Sequence, residues 1–178
     1  MDHFETRWRL KNGVELYAQG WQPETDAKAV VCLVHGLNEH SSRYTHVAAA
    51  LNRAGYAVLA FDHHGHGRSG GMRGHIPSSS IFLESLDCLL REAEQMYPGK
   101  PRFLYGHSLG GIVVLYYILS RKPALAGVIA TSAGLRTALE EQKFKIALTR
   151  WLSPFLPKLS IPTGLDPAQL SRDPQVVK

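Results

Sequence analysis

Cysteine, long apolar runs and clustered positive charge are all scarce in this sequence, and each scarcity excludes a class of protein. Only two of the 178 residues are cysteine, and both lie in apolar runs, so we expect Cys32 and Cys88 to be buried free thiols rather than a disulfide or a metal site. The longest apolar run, residues 112–119, is far shorter than the roughly 20 residues that cross a bilayer. Lys and Arg are scattered despite a net charge of +5, which disfavours a nucleic-acid partner.

The amino-terminal residues also lack the apolar core of a secretion signal. Free thiols are typical of a reducing compartment, so we expect a soluble cytoplasmic protein, with association at a membrane surface left open. A hydrophobic content of 44% in 178 residues is enough for one buried core, which excludes disorder for the chain as a whole.

Strand-like and helix-like segments alternate along most of the chain. Residues 6–10 and 14–21 flank an Asn-Gly pair, Asn12 and Gly13, which predicts an antiparallel hairpin. Continuous apolar runs predict buried strands at residues 29–34 and 56–61, and further strands are predicted at residues 102–105 and at the apolar run 125–131. Apolar residues at helical spacing predict helices at residues 44–51, 82–97 and 109–120. This alternation predicts an α/β domain with a mostly parallel sheet and helices on both faces.

A serine bracketed by glycines lies between the predicted strand at residues 102–105 and the following helix. Gly106, His107, Ser108, Leu109 and Gly110 form the pattern G-x-S-x-G, in which a sharp turn lifts the serine hydroxyl out of the sheet. Glycines suit this turn because they lack a Cβ and permit strained dihedral angles. The alternative is an ordinary glycine-rich turn, since so short a pattern recurs by chance. The predicted strand before it and helix after it favour a nucleophile elbow.

A second polar segment follows the strand at residues 29–34 and begins with His35 and Gly36. Ester hydrolysis by serine needs backbone N–H groups aimed at the oxygen on which negative charge develops. One donor is expected directly after the nucleophile, at Leu109, and the other in the loop after this strand, at Leu37. The alternative is a turn that merely ends the strand. The order of the two motifs along the chain favours an oxyanion hole made by Leu37 and Leu109.

The loop at residues 62–75 is rich in glycine and contains His63, His64, His66 and His75. No cysteine or carboxylate completes a recognised zinc spacing around them. We therefore expect loop histidines with structural hydrogen bonds, and no metal.

Residues 33–44, 61–70 and 106–111 resemble the signature segments of the monoacylglycerol lipase and lysophospholipase-like branch of the α/β-hydrolases. Residues 164–174 resemble the lid of the bacterial monoacylglycerol lipases. The resemblance implies an α/β-hydrolase fold, no cofactor, and a small lipid ester as the partner. It implies that Ser108 attacks the ester carbonyl, that glycerol or another alcohol leaves, and that water then releases the fatty acid. The same resemblance admits a lysophospholipase, a general esterase or a peptidase.

The sequence departs from this family in one respect, because none of its nine histidines follows Ser108. In an α/β-hydrolase the acid and the histidine of the triad follow the serine along the chain. We therefore expect residues 1–134 to be the amino-terminal part of a hydrolase core and residues 135–178 to be the start of its lid, in which the chain ends. On this view the parent protein is a serine ester hydrolase and the chain alone is inactive. The alternative is a non-catalytic module that binds a lipid or a protein.

Residues 144–155 predict an amphipathic helix after a capping box at Thr137 and Glu140. Its apolar face lies opposite Lys143, Lys145 and Arg150. Packing on the domain explains most of that face, but the pattern also suits peripheral contact with lipid. The sequence leaves the oligomeric state open.

Overall fold

The computed structural model describes residues 2–135, which form six strands and three α-helices. In chain order these are β1 Asp2–Arg9, β2 Glu15–Gln22, β3 Ala29–Val34, α1 Thr45–Arg53, β4 Tyr56–Phe61, α2 Ser80–Met96, β5 Arg102–His107, α3 Leu109–Arg121 and β6 Gly127–Thr131. A short 3-10 helix, Ser41–Tyr44, precedes α1. The predicted lid at residues 135–178, with the amphipathic helix at residues 144–155, lies outside the described residues except for residue 135.

The strands form one sheet in the order β1-β2-β4-β3-β5-β6. β3, β4, β5 and β6 run parallel to one another, and the β1–β2 hairpin joins antiparallel through β4. The apolar runs of β3 and β4 therefore lie at the centre of the sheet, as expected for strands that are covered on both faces, whereas β6, within the apolar run at residues 125–131, is an edge strand. The prediction of a mostly parallel α/β sheet is confirmed.

The two faces of the sheet carry different helices. Alternate residues of β3, namely Val30, Cys32 and Val34, pack with residues of α2 and α3 in one cluster. The intervening Val31 and Leu33 pack with residues of α1 in another. This alternation follows from the two-residue period of a strand. It confirms the predicted helices on both faces.

No helix within residues 2–135 is long and apolar enough to cross a membrane.

The predicted hairpin forms, but its first strand begins earlier than expected. β1 pairs with β2 from Asp2 opposite Gln22 to Arg9 opposite Glu15. The turn contains Gly13 at a φ of 83°, a left-handed conformation that glycine adopts without steric cost. β1 is an edge strand, and most of its residues face solvent, so its first half has no apolar run to mark it in the sequence.

Both cysteines are buried and free, as predicted. Burial raises the pKa of the Cys32 thiol to about 12, which keeps it protonated and unreactive at neutral pH. The thiol therefore acts as a small apolar group of the core.

The fold positions the site by bringing the carboxyl ends of β3 and β5 together. The two strands are parallel neighbours, with Val34 opposite Gly106. The segment after β3 and the segment after β5 therefore emerge at the same edge of the sheet, where ligands bind in open α/β sheets. These are the segments that contain Gly36 and Ser108.

Candidate active site

Ser108 forms a strained turn between β5 and α3. Its φ of 53° and ψ of −118° lie outside the regions that a residue with a side chain adopts freely. Such a conformation costs about 1–3 kcal/mol and persists only when the surrounding contacts enforce it. The predicted elbow therefore has the expected backbone geometry.

Close backbone contacts explain the two glycines of the motif. A Cβ on Gly106 would lie 2.5 Å from the carbonyl carbon of Gly110, and a Cβ on Gly110 would lie 2.6 Å from the carbonyl oxygen of His35. Both distances are shorter than real Cβ atoms allow. Only residues without a side chain let α3 begin this close to β3 and β5.

Three amide groups belong to the turn and to the segment beside it, and one of them already donates a hydrogen bond. The Ser108 amide donates to the carbonyl oxygen of Thr131 on β6 at 2.9 Å. The Leu109 amide is the first of α3 and, within residues 2–135, donates to no other group. The same holds for the Leu37 amide, judged over the same part of the chain. Within residues 2–135, no hydrogen bond therefore uses the amides of Leu37 or Leu109, and their role as oxyanion donors stays a prediction.

The segment after β3 passes directly beside Ser108. A Cβ on Gly36 would lie 3.1 Å from the Cβ of Ser108 and 3.0 Å from Oε1 of Glu39. Asn38, two residues later, has a φ of 56°, so the backbone turns sharply after Leu37. The structure therefore brings together the two segments that the sequence analysis joined, because the glycine at position 36 permits the close approach.

His35 is a buried framework residue and is unsuited to act as a base. Its Nδ1 hydrogen-bonds the carbonyl oxygen of Gly36 at 2.7 Å, and its Nε2 accepts from the His63 amide at 2.9 Å. Because Nε2 accepts, the ring is neutral with its proton on Nδ1. Burial lowers the pKa of His35 to about 4. Its predicted role as motif support has a physical basis, since Nδ1 holds the backbone at Gly36 and Nε2 holds the backbone at His63.

His63 completes a reciprocal pair with His35. Its Nε2 hydrogen-bonds the carbonyl oxygen of His35 at 3.1 Å, and its ring packs edge-on against Phe82 of α2 with centroids 5.3 Å apart. Burial lowers the pKa of His63 well below its usual value. Nδ1 of His66 likewise bonds the carbonyl oxygen of His64 at 3.0 Å. The predicted structural hydrogen bonds are thus confirmed for His63 and His66.

The prediction is not confirmed for His64, whose Nδ1 is buried without a hydrogen-bond partner within residues 2–135. For His75 it stays a prediction. No group of three His, Cys, Asp or Glu side chains in residues 2–135 converges in a way that suits a metal ion.

Asp62 organises the loop and was missed by the sequence analysis. Its Oδ1 accepts from the Ser41 amide at 2.7 Å and from the Ser41 hydroxyl at 2.6 Å, while Oδ2 accepts from the Arg68 amide at 2.7 Å. The Ser69 hydroxyl donates to the Asp62 carbonyl oxygen and accepts from the Tyr17 amide. The buried carboxylate thus joins the loop after β4 to the segment after β3. Its only sequence signal was an acidic residue directly after a buried strand.

His107, the residue before the nucleophile, is bound to β6. Its Nδ1 lies 3.0 Å from Oγ1 of Thr131, and that hydroxyl donates to the Tyr105 hydroxyl at 3.4 Å. The His107 ring also lies edge-on to Tyr44, with centroids 6.4 Å apart. No side chain within residues 2–135 hydrogen-bonds the Ser108 hydroxyl itself.

Comparison with known proteins shows which family the chain resembles. A family profile described as "Serine aminopeptidase, S33" matches residues 25–178. The monoacylglycerol lipase of Mycolicibacterium smegmatis is 36% identical over 93% of the chain, and the monoglyceride lipase of Homo sapiens is 32% identical over 91% of it. The crystal structure of the Paleococcus ferrophilus monoacylglycerol lipase is 37% identical over 99% of the chain, with a TM-score of 0.73.

The chain spans only part of these proteins. It covers 59% of the mycobacterial lipase, 54% of the human lipase and 61% of the crystallised lipase. The matched part includes the sheet, the strained serine and the loop beside it.

Proposed function

Because the chain belongs to the monoacylglycerol lipase-like branch of the α/β-hydrolases, we propose that its parent protein is a serine ester hydrolase acting on monoacylglycerol or a similar single-chain lipid. One observation carries the proposal. Ser108 stands at a strained strand-to-helix turn packed closely against Gly36, where an added Cβ would lie 3.1 Å from the Ser108 Cβ. A strained serine beside free backbone amides is the arrangement that acyl transfer requires.

In the proposed reaction, the Ser108 oxygen attacks the ester carbonyl carbon while its proton passes to a general base. The carbonyl π electrons move to the oxygen, and the amides of Leu37 and Leu109 stabilise the resulting charge. Collapse of this intermediate expels the alcohol, which takes up the proton, and leaves an acyl group on Ser108. Water then attacks the acyl group by the same route and releases the fatty acid.

The proposal assigns the base and its acid partner to the parent protein outside these 178 residues. No histidine follows Ser108 in the chain, and both nitrogens of His35 are already hydrogen-bonded. Without a base, the serine hydroxyl is a weak nucleophile. We therefore propose that the 178 residues alone are inactive. A non-catalytic binding module is the alternative that the experiment below excludes or supports.

The substrate class rests on the relatives, whose printed names describe monoacylglycerol and monoglyceride lipases. We propose the same substrate class for the parent protein of this chain. We include two related classes of substrate, lysophospholipids and simple esters. We also propose the division into a core at residues 1–134 and a lid at residues 135–178. Peripheral contact of residues 144–155 with a lipid surface is part of the same proposal, and vesicle binding by the parent protein tests it.

Labelling with a fluorophosphonate tests the nucleophile directly. The parent protein should take up the label on Ser108, and Ser108→Ala should abolish the labelling. The matched control is Ser132→Ala, because Ser132 is exposed and also has a left-handed φ, 49°, but does not lie on an elbow. It should leave labelling within about twofold of the wild type. Labelling that persists in Ser108→Ala would refute the assignment, and a parent protein that takes no label would support the binding module.

A further inference from the structure

We propose that the Thr131 hydroxyl is a positioning group for the nucleophile, and this inference rests on the proposed function. Thr131 ends β6, one strand away from the elbow, and touches neither the ester nor the oxyanion donors in the reaction described above. It acts through His107 and the Ser108 backbone.

Two hydrogen bonds from consecutive elbow residues end on this one threonine. The Ser108 amide donates to the Thr131 carbonyl oxygen at 2.9 Å, and Nδ1 of His107 lies 3.0 Å from Oγ1 of Thr131. Strand pairing places His107 opposite Thr131 in the β5–β6 ladder. The main-chain bond is available to any residue at position 131, but the side-chain bond requires a hydroxyl or another polar group.

The bond between the His107 ring and the Thr131 hydroxyl matters because the turn is strained. Ser108 has a φ of 53°, so relaxation toward ordinary dihedral angles would rotate its side chain away from Gly36. The bond at the Ser108 amide restrains the His107–Ser108 peptide but leaves the His107 side chain free to rotate. The second bond, at the His107 ring, restrains that side chain and ties the residue before the turn to β6. A displacement of a reacting group by about 1 Å lowers turnover by up to roughly a hundredfold.

The same hydroxyl connects the elbow to the segment beside it. Thr131 Oγ1 donates to the Tyr105 hydroxyl at 3.4 Å, while the His107 ring stacks edge-on with Tyr44. Tyr44 ends the 3-10 helix that follows the Gly36 segment. The threonine, histidine and tyrosine thus hold the nucleophile and the oxyanion segment in one arrangement.

Kinetics of the parent protein on a short-chain monoacylglycerol test the inference. Thr131→Val removes the hydroxyl but keeps the branched shape and the main-chain bond. We expect kcat to fall roughly tenfold, KM to stay within about twofold, and fluorophosphonate labelling of Ser108 to slow by the same factor as kcat. Thr131→Ser, which restores the hydroxyl, should recover kcat to within about threefold of the wild type.

Two further variants keep the test decisive. Thr6→Val makes the same chemical change on the opposite edge strand, β1, and should leave kcat and labelling unchanged. His107→Phe removes the same hydrogen bond from its other end, so it replaces Thr131→Val if that variant does not fold. In a folded His107→Phe background, Thr131→Val should have no additional effect on kcat.

The outcomes separate the inference from the proposed function. If the wild-type parent neither hydrolyses the ester nor takes the label, the proposed function fails and the inference fails with it. If the wild type is active and Thr131→Val matches it, the inference alone is overturned. A loss that Thr131→Ser does not recover, or that persists in the His107→Phe background, also overturns it, because packing would then explain the effect.

Discussion

The two edges of the sheet meet solvent in opposite ways. β1 exposes charged or ionisable side chains, including those of Glu5, Arg7 and Arg9, which discourage pairing with another strand. β6 instead exposes Val128 and Ile129, at 38% and 47% of their surface. The neighbouring helix α3 exposes Leu119, at 76%. The difference shows that β1 is built as a terminal edge, whereas β6 has the character of an interior strand.

The strained turn at Ser108 lies toward the less protected edge. Ser108 is tied to β6 through Thr131, while the hairpin formed by β1 and β2 lies on the far side of β4 and β3. Changes near β6 should therefore affect the elbow, and equivalent changes near β1 should not. Pairs of variants, in which a similar substitution is made near β6 and near β1, test this contrast.

The largest expected effect comes from two matched glycine-to-alanine substitutions. One lies at the elbow, toward β6, and the other lies in the β1–β2 turn. Gly110→Ala places a Cβ against the carbonyl oxygens of Val34 and His35, so we expect the free energy of unfolding to fall by about 3 kcal/mol. Gly13→Ala, in the β1–β2 turn, meets nothing within 4 Å, and its φ of 83° alone should cost roughly 1 kcal/mol. Urea unfolding of both variants measures the difference. Equal losses would contradict the tight contact inferred at Gly110.

The centre of the sheet, between the two edges, should respond to acid. His35 has a folded-state pKa of about 4 against 6.5 for an unperturbed histidine, so the unfolded chain binds a proton that the folded chain excludes. The contribution to stability is complete above pH 6.5 and is lost as the pH falls from 6.5 to 4. At about 1.4 kcal/mol per pH unit, the loss approaches 3 kcal/mol.

Urea unfolding as a function of pH measures this loss. His63 has a lowered pKa for the same reason and adds to the slope. Replacing both rings, with His35→Asn and His63→Asn together, should flatten the profile between pH 4 and 6.5. A profile unchanged in that double variant would assign the acid sensitivity to other groups.

The smallest expected effect concerns association of the 178-residue chain through β6. Ile129→Lys puts a charge on the exposed apolar edge and should weaken self-association by roughly tenfold. The reciprocal variant, Arg7→Ile, leaves Glu5 and Arg9 on the β1 edge and should change association by less than about twofold. Sedimentation velocity compares both with the wild type. Association that Ile129→Lys leaves intact would show that β6 is not the contact surface.

Much of the fold was predictable because its signals are local. Continuous apolar runs marked β3 and β4, helical spacing marked α2, and the glycines around Ser108 marked the elbow. These features depend on steric effects within a few residues or on burial on both faces of a sheet. The first half of β1 was the exception, since an edge strand in contact with solvent needs no apolar run.

The connections between elements were not predictable from one sequence. The bonds from Asp62 to Ser41 and from His107 to Thr131 join residues that are 21 and 24 positions apart. Each depends on which strands become neighbours and in which register. The sequence identified His35 and His107 as members of motifs, but their partners emerged only once the strand order was known.

The Asp62 network has a consequence for synthesis on the ribosome. Every donor and acceptor in it, from Tyr17 through Ser41 to Arg68 and Ser69, precedes residue 71. A nascent chain that has emerged through Gly70 therefore already contains all the groups that fix this loop. The scaffold on one side of Ser108 can be assembled before Ser108 itself has emerged from the ribosome, whereas the hydrogen bonds on its other side require Thr131 to emerge.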